Sequence, residues 1–139
     1  MRVLGLDLGD RTLGMAISDA LGLIAQPLGT YRFTDRDLAS ALEATKKVVA
    51  EHDVQKIVLG LPKHMSGDIG TQAEYCLEFK KMLEKELGLE VTMIDERLTS
   101  QMAERVMLEA DISRNKRKKN VDKLAATIIL QTYLDIHSK

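Results

Sequence analysis

Asp7, Asp95, Glu96 and Asp122 are the residues of this chain whose type and placement could do chemistry. Asp7 interrupts the apolar run "RVLGLDL", Asp95 and Glu96 close "VTMIDE", and Asp122 opens the apolar stretch "VDKLAATIIL". Carboxylates gathered ~4 Å apart repel by about 4 kcal/mol per pair at an effective dielectric near 20. Such a group persists by taking up protons or by binding cations. Oxygen donors with no His or Cys among them suit Mg²⁺ or Mn²⁺ rather than Zn²⁺. A hard cation held by few carboxylates completes its shell with water and phosphate oxygens, the composition used in phosphodiester hydrolysis.

Taken singly, each acid also has an ordinary structural reading. "DLGD" is turn-like, so Asp7 could end a strand. Asp122, expected in the first turn of the last helix, could complement the positive end of that helix. "DER" could be a surface ion-pair cluster. The chemical reading rests on Asp7, Glu96 (or its neighbour Asp95) and Asp122 coming together, which periodicity does not decide.

Basic residues flank the same positions. Arg11 and Arg97 each follow a proposed metal acid. Either could clamp a phosphate or stabilise transition-state charge, or could form an ion pair that orients the acids. The run "RNKRKKN" places Arg114, Lys116, Arg117, Lys118 and Lys119 just before Asp122. Elsewhere such a run reads as a solvated loop; beside an acidic centre it can track a nucleic-acid backbone through its phosphates. Tyr31, Phe33, Tyr75, Phe79 and Tyr133 are the only aromatics, and no cluster of them suggests base stacking. His64, in the polar loop "KHMSGDIG", reads as a solvated histidine rather than a catalytic one.

Positioning these residues requires a defined order of elements. "RVLGLDL", "LGMAISD" and "LIAQPLGTYRF" read as three consecutive strands with tight connections, and Pro27 argues for an edge position or a break in the third. A helix follows, with Leu38, Leu42, Val48 and Val49 on one stripe behind a capping-box-like Thr34/Asp37 start. "QKIVLGLP" is the next strand. A second helix carries Ala73, Cys76, Leu83 and Leu87 on one face and stops at Gly88. The strand "EVTMID" precedes a helix with Met102, Ala103, Val106, Met107 and Ala110 inward. The last helix, "VDKLAATIILQTYLDIH", is apolar nearly all round and should be deeply packed. The order β-β-β-α-β-α-β-α-α predicts an α/β domain with a mixed five-stranded sheet. Three antiparallel strands come first, then parallel strand–helix units, with helices flanking the sheet.

With 139 residues, the chain can bury one substantial core. A net charge of −1 makes no global case for a polyanionic partner and conceals the local basic run. The lone Cys76 cannot form an internal disulfide. Asp7 and Asp10 interrupt any signal-like apolar region, and no stretch is long enough to span a bilayer. The expected setting is cytoplasmic, away from membranes.

The segments "GLDLGDRTLGMAISD", "VLGLPKHMSGDIG", "DERLTS" and "VDKLAATIILQTYLD" resemble, in order, the signature segments of the YqgF/RuvX family within the RNase H-like superfamily. The similarity covers essentially the whole chain. It implies an RNase H-like fold and a single nuclease domain over residues 1–139. It further implies a nuclease acting in maturation of the 5′ end of pre-16S ribosomal RNA; the family has also been described as a Holliday-junction resolvase homologue. By the same resemblance divalent metal falls to Asp7, to Glu96 or Asp95, and to Asp122. The implied partners are structured RNA or branched DNA, with the protein a monomer or homodimer. The chain departs from RuvC-type resolvases in two ways. Its fourth strand ends in "GLP" instead of an acid, and no second acid follows Asp122 within four residues. Two other readings stand beside this one. A D-x-G opening also occurs in actin-like ATP-binding modules, which generally need two related domains, and the fold could bind nucleic acid without cleaving it.

Overall fold

The computed structural model describes residues 1–61, 71–95 and 114–137, with the backbone alone for 71, 114–124 and 137. Strand β1 (Arg2–Leu8) is apolar on both faces because it becomes the middle strand of the sheet. Leu4, Leu6 and Leu8 point into one core, whereas Val3 and Gly5 turn to the other. β2 (Thr12–Ser18) returns antiparallel beside it, and β3 (Ala25–Arg32) pairs antiparallel with β2. On the other side β4 (Val54–Leu61) runs parallel to β1, and β5 (Val91–Asp95) runs parallel to β4. The five strands lie in the order β3-β2-β1-β4-β5. This is the mixed sheet expected from the sequence, an antiparallel meander continued by parallel units.

Pro27 lies on the edge strand β3, where a missing N–H costs no ladder bond on the open side. The register there also slips, Met15 facing Gly29 and Ala16 facing Pro27, so Leu28 bulges out. The edge reading of Pro27 holds, and in place of a break the strand continues through it with a bulge.

Helices α1 (Leu38–His52) and α2 (Thr71–Leu87) cover one face. Leu38, Leu42, Cys76, Phe79 and Leu83 close the larger core over Leu4, Leu6, Ile57 and Leu59. The start of α1 differs from the sequence expectation. Asp37 is the N-cap, accepting the Ser40 N–H at 3.2 Å, and Thr34 stays outside the helix. A single Asx cap satisfies the first turn, so no reciprocal partner is needed. α2 stops as expected, with Gly88 at φ +66° and its N–H donating to the Glu84 carbonyl.

Among the described residues, helix α3 (Arg114–His137) is the helix that covers the opposite face. Ala126, Ile129, Leu130, Tyr133 and Leu134 meet Val3, Ala16 and Val58 there, while Ile136 and Asp135 are exposed. The helix begins at Arg114, so the basic run is backbone helix rather than loop. Unbranched Lys and Arg are good helix formers, and they extend the apolar segment backwards without a break. The expected helix over 99–110 and the loop with His64 lie outside the described residues. No described helix is long and apolar enough to cross a membrane.

Candidate active site

Asp7 shares its strand face with Val3 and Gly5, the face covered by α3, and is half-buried near the end of β1. Its direct partner across the antiparallel ladder is Gly14. On β4 the position after Leu59, which pairs with Leu6, is Gly60. Glycine on both neighbouring strands leaves the carboxylate room that a branched side chain would fill.

α3 crosses the same face of β1. Val3 lines a cavity with Tyr133 and Leu134, while Gly5 lies against Ala126 and Leu130. The helix therefore runs antiparallel to β1. A Cβ at Gly5 would sit 2.7 Å from the Leu130 Cβ and 3.0 Å from the Ala126 carbonyl oxygen, so only glycine admits the helix this closely. From Gly5 to Asp7 the strand advances about 6.6 Å. From Ala126 back to residue 122 the helix recedes about 6 Å, one turn along the same side. Followed back from these contacts, α3 therefore leads toward the Asp7 end of β1, with residue 122 one turn before Ala126.

Asp122 is not in the first turn of its helix. With α3 starting at Arg114 it falls in the third turn, beyond the reach of the terminal dipole. Its ordinary structural reading, complementing a helix N-terminus, therefore loses its basis.

The two acids of "DER" separate. Asp95, opposite Leu61 at the end of β5, shares the strand face of Val91 and Met93, which pack in the larger core. Ile94 packs in the smaller core under α3. Asp95 therefore takes the face away from Asp7. Glu96 and Arg97 lie outside the described residues, as do the side chains of Asp122, Arg114, Lys116, Arg117, Lys118 and Lys119. Among the described residues no three His, Cys, Asp or Glu side chains form a group that could hold a metal ion. Arg11 stands on the β1–β2 turn, largely exposed, 3.7 Å from Asp35 rather than paired with a proposed metal acid.

A polar cluster just past Asp7 carried no signal in the sequence. The Tyr75 hydroxyl, on α2, donates to the Gly9 carbonyl at 3.2 Å. The Arg36 guanidinium lies 4.7 Å over the Tyr75 ring, donates to Asp10 at 3.2 Å and to the Gln72 side chain at 3.3 Å. Burial, and then the negative charge of Asp10, push the Tyr75 hydroxyl up to about 12, which keeps it a donor at neutral pH. These residues lie in separate segments, and no local pattern links them.

A mixed sheet in this order, with an acid on its middle strand and a long helix laid antiparallel across that acid's face, defines an RNase H-like fold of the RuvC kind. A solved structure described as "T. thermophilus RuvC in complex with Holliday junction substrate" superposes with a TM-score of 0.62 at 14% identity, covering 99% of this chain and 97% of that one. The chain belongs to the RuvX family, whose model, described as "Holliday junction resolvase", matches residues 1–136. A relative from Clostridium botulinum is 55% identical over 139 residues, the full length of both chains. Another, from Oceanobacillus iheyensis, is 50% identical over 135 residues, 97% of this chain and 98% of the relative. Both relatives carry the name "Putative pre-16S rRNA nuclease".

Proposed function

We propose that this protein is a divalent-metal-dependent nuclease that hydrolyses phosphodiester bonds during maturation of the 5′ end of pre-16S ribosomal RNA. The observation that carries the reading is the close approach of α3 to β1 at Gly5, on the strand face that carries Asp7; it supports Asp122, one turn before Ala126, as a partner acid. The names of the full-length relatives support this substrate, and an rRNA substrate fits a cytoplasmic activity.

Asp7 and Asp122, with Glu96 just beyond β5, make an oxygen-only donor set that fits Mg²⁺ or Mn²⁺. Bound by them, the metal would activate water and stabilise the leaving oxygen. Asp95 is the less suitable acid of its pair, because strand alternation turns it from Asp7. Arg114, Lys116, Arg117, Lys118 and Lys119 would hold the substrate backbone through phosphates. Five cations in the first turns of a helix oppose its dipole, a local cost that a polyanionic partner removes. Arg97, beside Glu96, would contact the scissile phosphate, and Arg11, already facing Asp35, would reach substrate only at the rim.

The test is Mn²⁺- or Mg²⁺-dependent cleavage of a pre-16S rRNA fragment, run beside a synthetic four-way DNA junction. Wild-type protein should cut the RNA, and Asp7→Asn should lower the rate ~100-fold or more, at least the loss that removing an outer-shell partner of a metal ligand brings. Cleavage by the variant at the wild-type rate would defeat the assignment of Asp7. The family description favours a second reading, in which the junction is cut and the RNA is not.

A further inference from the structure

We propose that Tyr75 and Arg36 are positioning residues that fix the Asp7 carboxylate by clamping the Gly9–Asp10 turn directly behind it. The inference rests on the reading of Asp7 as a metal ligand and names what holds that ligand in place.

A strand end is where a ladder frays unless its backbone is tied. β1 ends at Leu8, and both polar backbone groups of the next residue are engaged. The Gly9 N–H donates to the Thr12 carbonyl at 2.7 Å, closing the turn, and the Gly9 carbonyl accepts from Tyr75. Asp10 is held twice by one residue. Its carbonyl accepts the Arg36 N–H at 2.7 Å, and its carboxylate accepts the Arg36 side chain at 3.2 Å.

Arg36 meets these partners from a left-handed backbone, φ +54°, that side-chain-bearing residues seldom adopt. Such conformations persist where surrounding contacts over-determine them, and they concentrate at functional sites. Gln72, in the first turn of α2, accepts a second guanidinium N–H, and the Tyr75 ring supports the guanidinium plane. Three segments of chain thus converge on the turn that follows Asp7. Ordinary core packing would fasten α2 with apolar contacts; here directional bonds end on the backbone two and three residues from the acid.

The decisive measurement is Mn²⁺ binding to the full chain by calorimetry, with cleavage of the pre-16S fragment and thermal unfolding in parallel. Asp7→Asn serves as the reference variant. Tyr75→Phe preserves the ring and removes only the hydroxyl. It should weaken Mn²⁺ binding about tenfold, the lower end of what outer-shell partners contribute. It should raise the Mn²⁺ needed for half-maximal cleavage by the same factor, with KM for RNA unchanged and the rate restored at high Mn²⁺. Arg36→Lys keeps the charge but loses the flat fork, and should shift Mn²⁺ binding in the same direction.

Wild-type Mn²⁺ affinity in both Tyr75→Phe and Arg36→Lys would overturn the clamp while leaving the nuclease reading intact. A lowered unfolding midpoint with unchanged Mn²⁺ affinity would do the same, since it assigns the cluster to stability alone. Mn²⁺ binding unaffected by Asp7→Asn would overturn both the clamp and the reading beneath it.

Discussion

Asp7 is tolerated on a buried strand because of what surrounds it. Its face carries Val3 and Gly5, its ladder partner is Gly14, and the next residue of β4 is Gly60. Small neighbours on both flanking strands leave the carboxylate half-buried rather than fully enclosed. Asp19 shows what an acid does when its task is only local. Its carboxylate accepts the N–H groups of Leu23 and Ile24 at 2.7 and 3.1 Å, which hold its pKa below the ordinary aspartate value. A lowered folded pKa adds stability that is complete above the ordinary value and disappears as pH falls through the folded one. Asp19→Asn should therefore flatten the acid limb of the unfolding midpoint below about pH 4. An unaltered limb would move that pH dependence to other carboxylates.

Within α3 the two halves have different chemistry. From Ala125 onward the buried positions recur on one side and close the smaller core. Before that, basic residues occupy the first turns, where the helix dipole disfavours them. Lys118→Gln with Lys119→Gln should leave folding unharmed and weaken RNA binding. If both contact phosphate, the slope of log affinity against log salt should fall in magnitude by about 1 to 2. An unchanged slope would remove these lysines from the interface. The helical start of this run escaped a reading that treated charge runs as loops, since nothing in "RNKRKKN" is amphipathic. Pro27 and Gly88 were legible because each imposes its own backbone constraint: an absent donor on β3, a positive φ after α2.

Across the whole molecule, one sheet separates two cores with different duties. The larger, under α1 and α2, holds most of the buried apolar side chains; the smaller, under α3, fixes the helix against the Asp7 face of β1. Phe79 and Leu130 are both fully buried, one in each core. Phe79→Ala and Leu130→Ala should each cost roughly 2–5 kcal/mol in denaturant unfolding. Their effects on cleavage should differ when rates are corrected for the folded fraction. Leu130→Ala loosens the contact at Gly5 and should slow the folded enzyme, whereas Phe79→Ala should leave it close to wild type. Equal residual rates would show that α3 packing has no hold on the acids.

The sequence by itself determined the succession of the described strands and helices, the edge place of β3 and the end of α2, because period, proline and glycine act over a few residues. It also nominated the acids by type. It did not assign the face of the sheet to which α3 docks, since β1 is apolar on both sides. Docking decided that Asp7 looks toward α3 and that Asp95 looks away. Tertiary structure alone joined Arg36 to Asp10 across 26 residues and Tyr75 to Gly9 across 66. Contacts at that separation exist only once the helices have packed on the sheet, so no local pattern in the chain announces them.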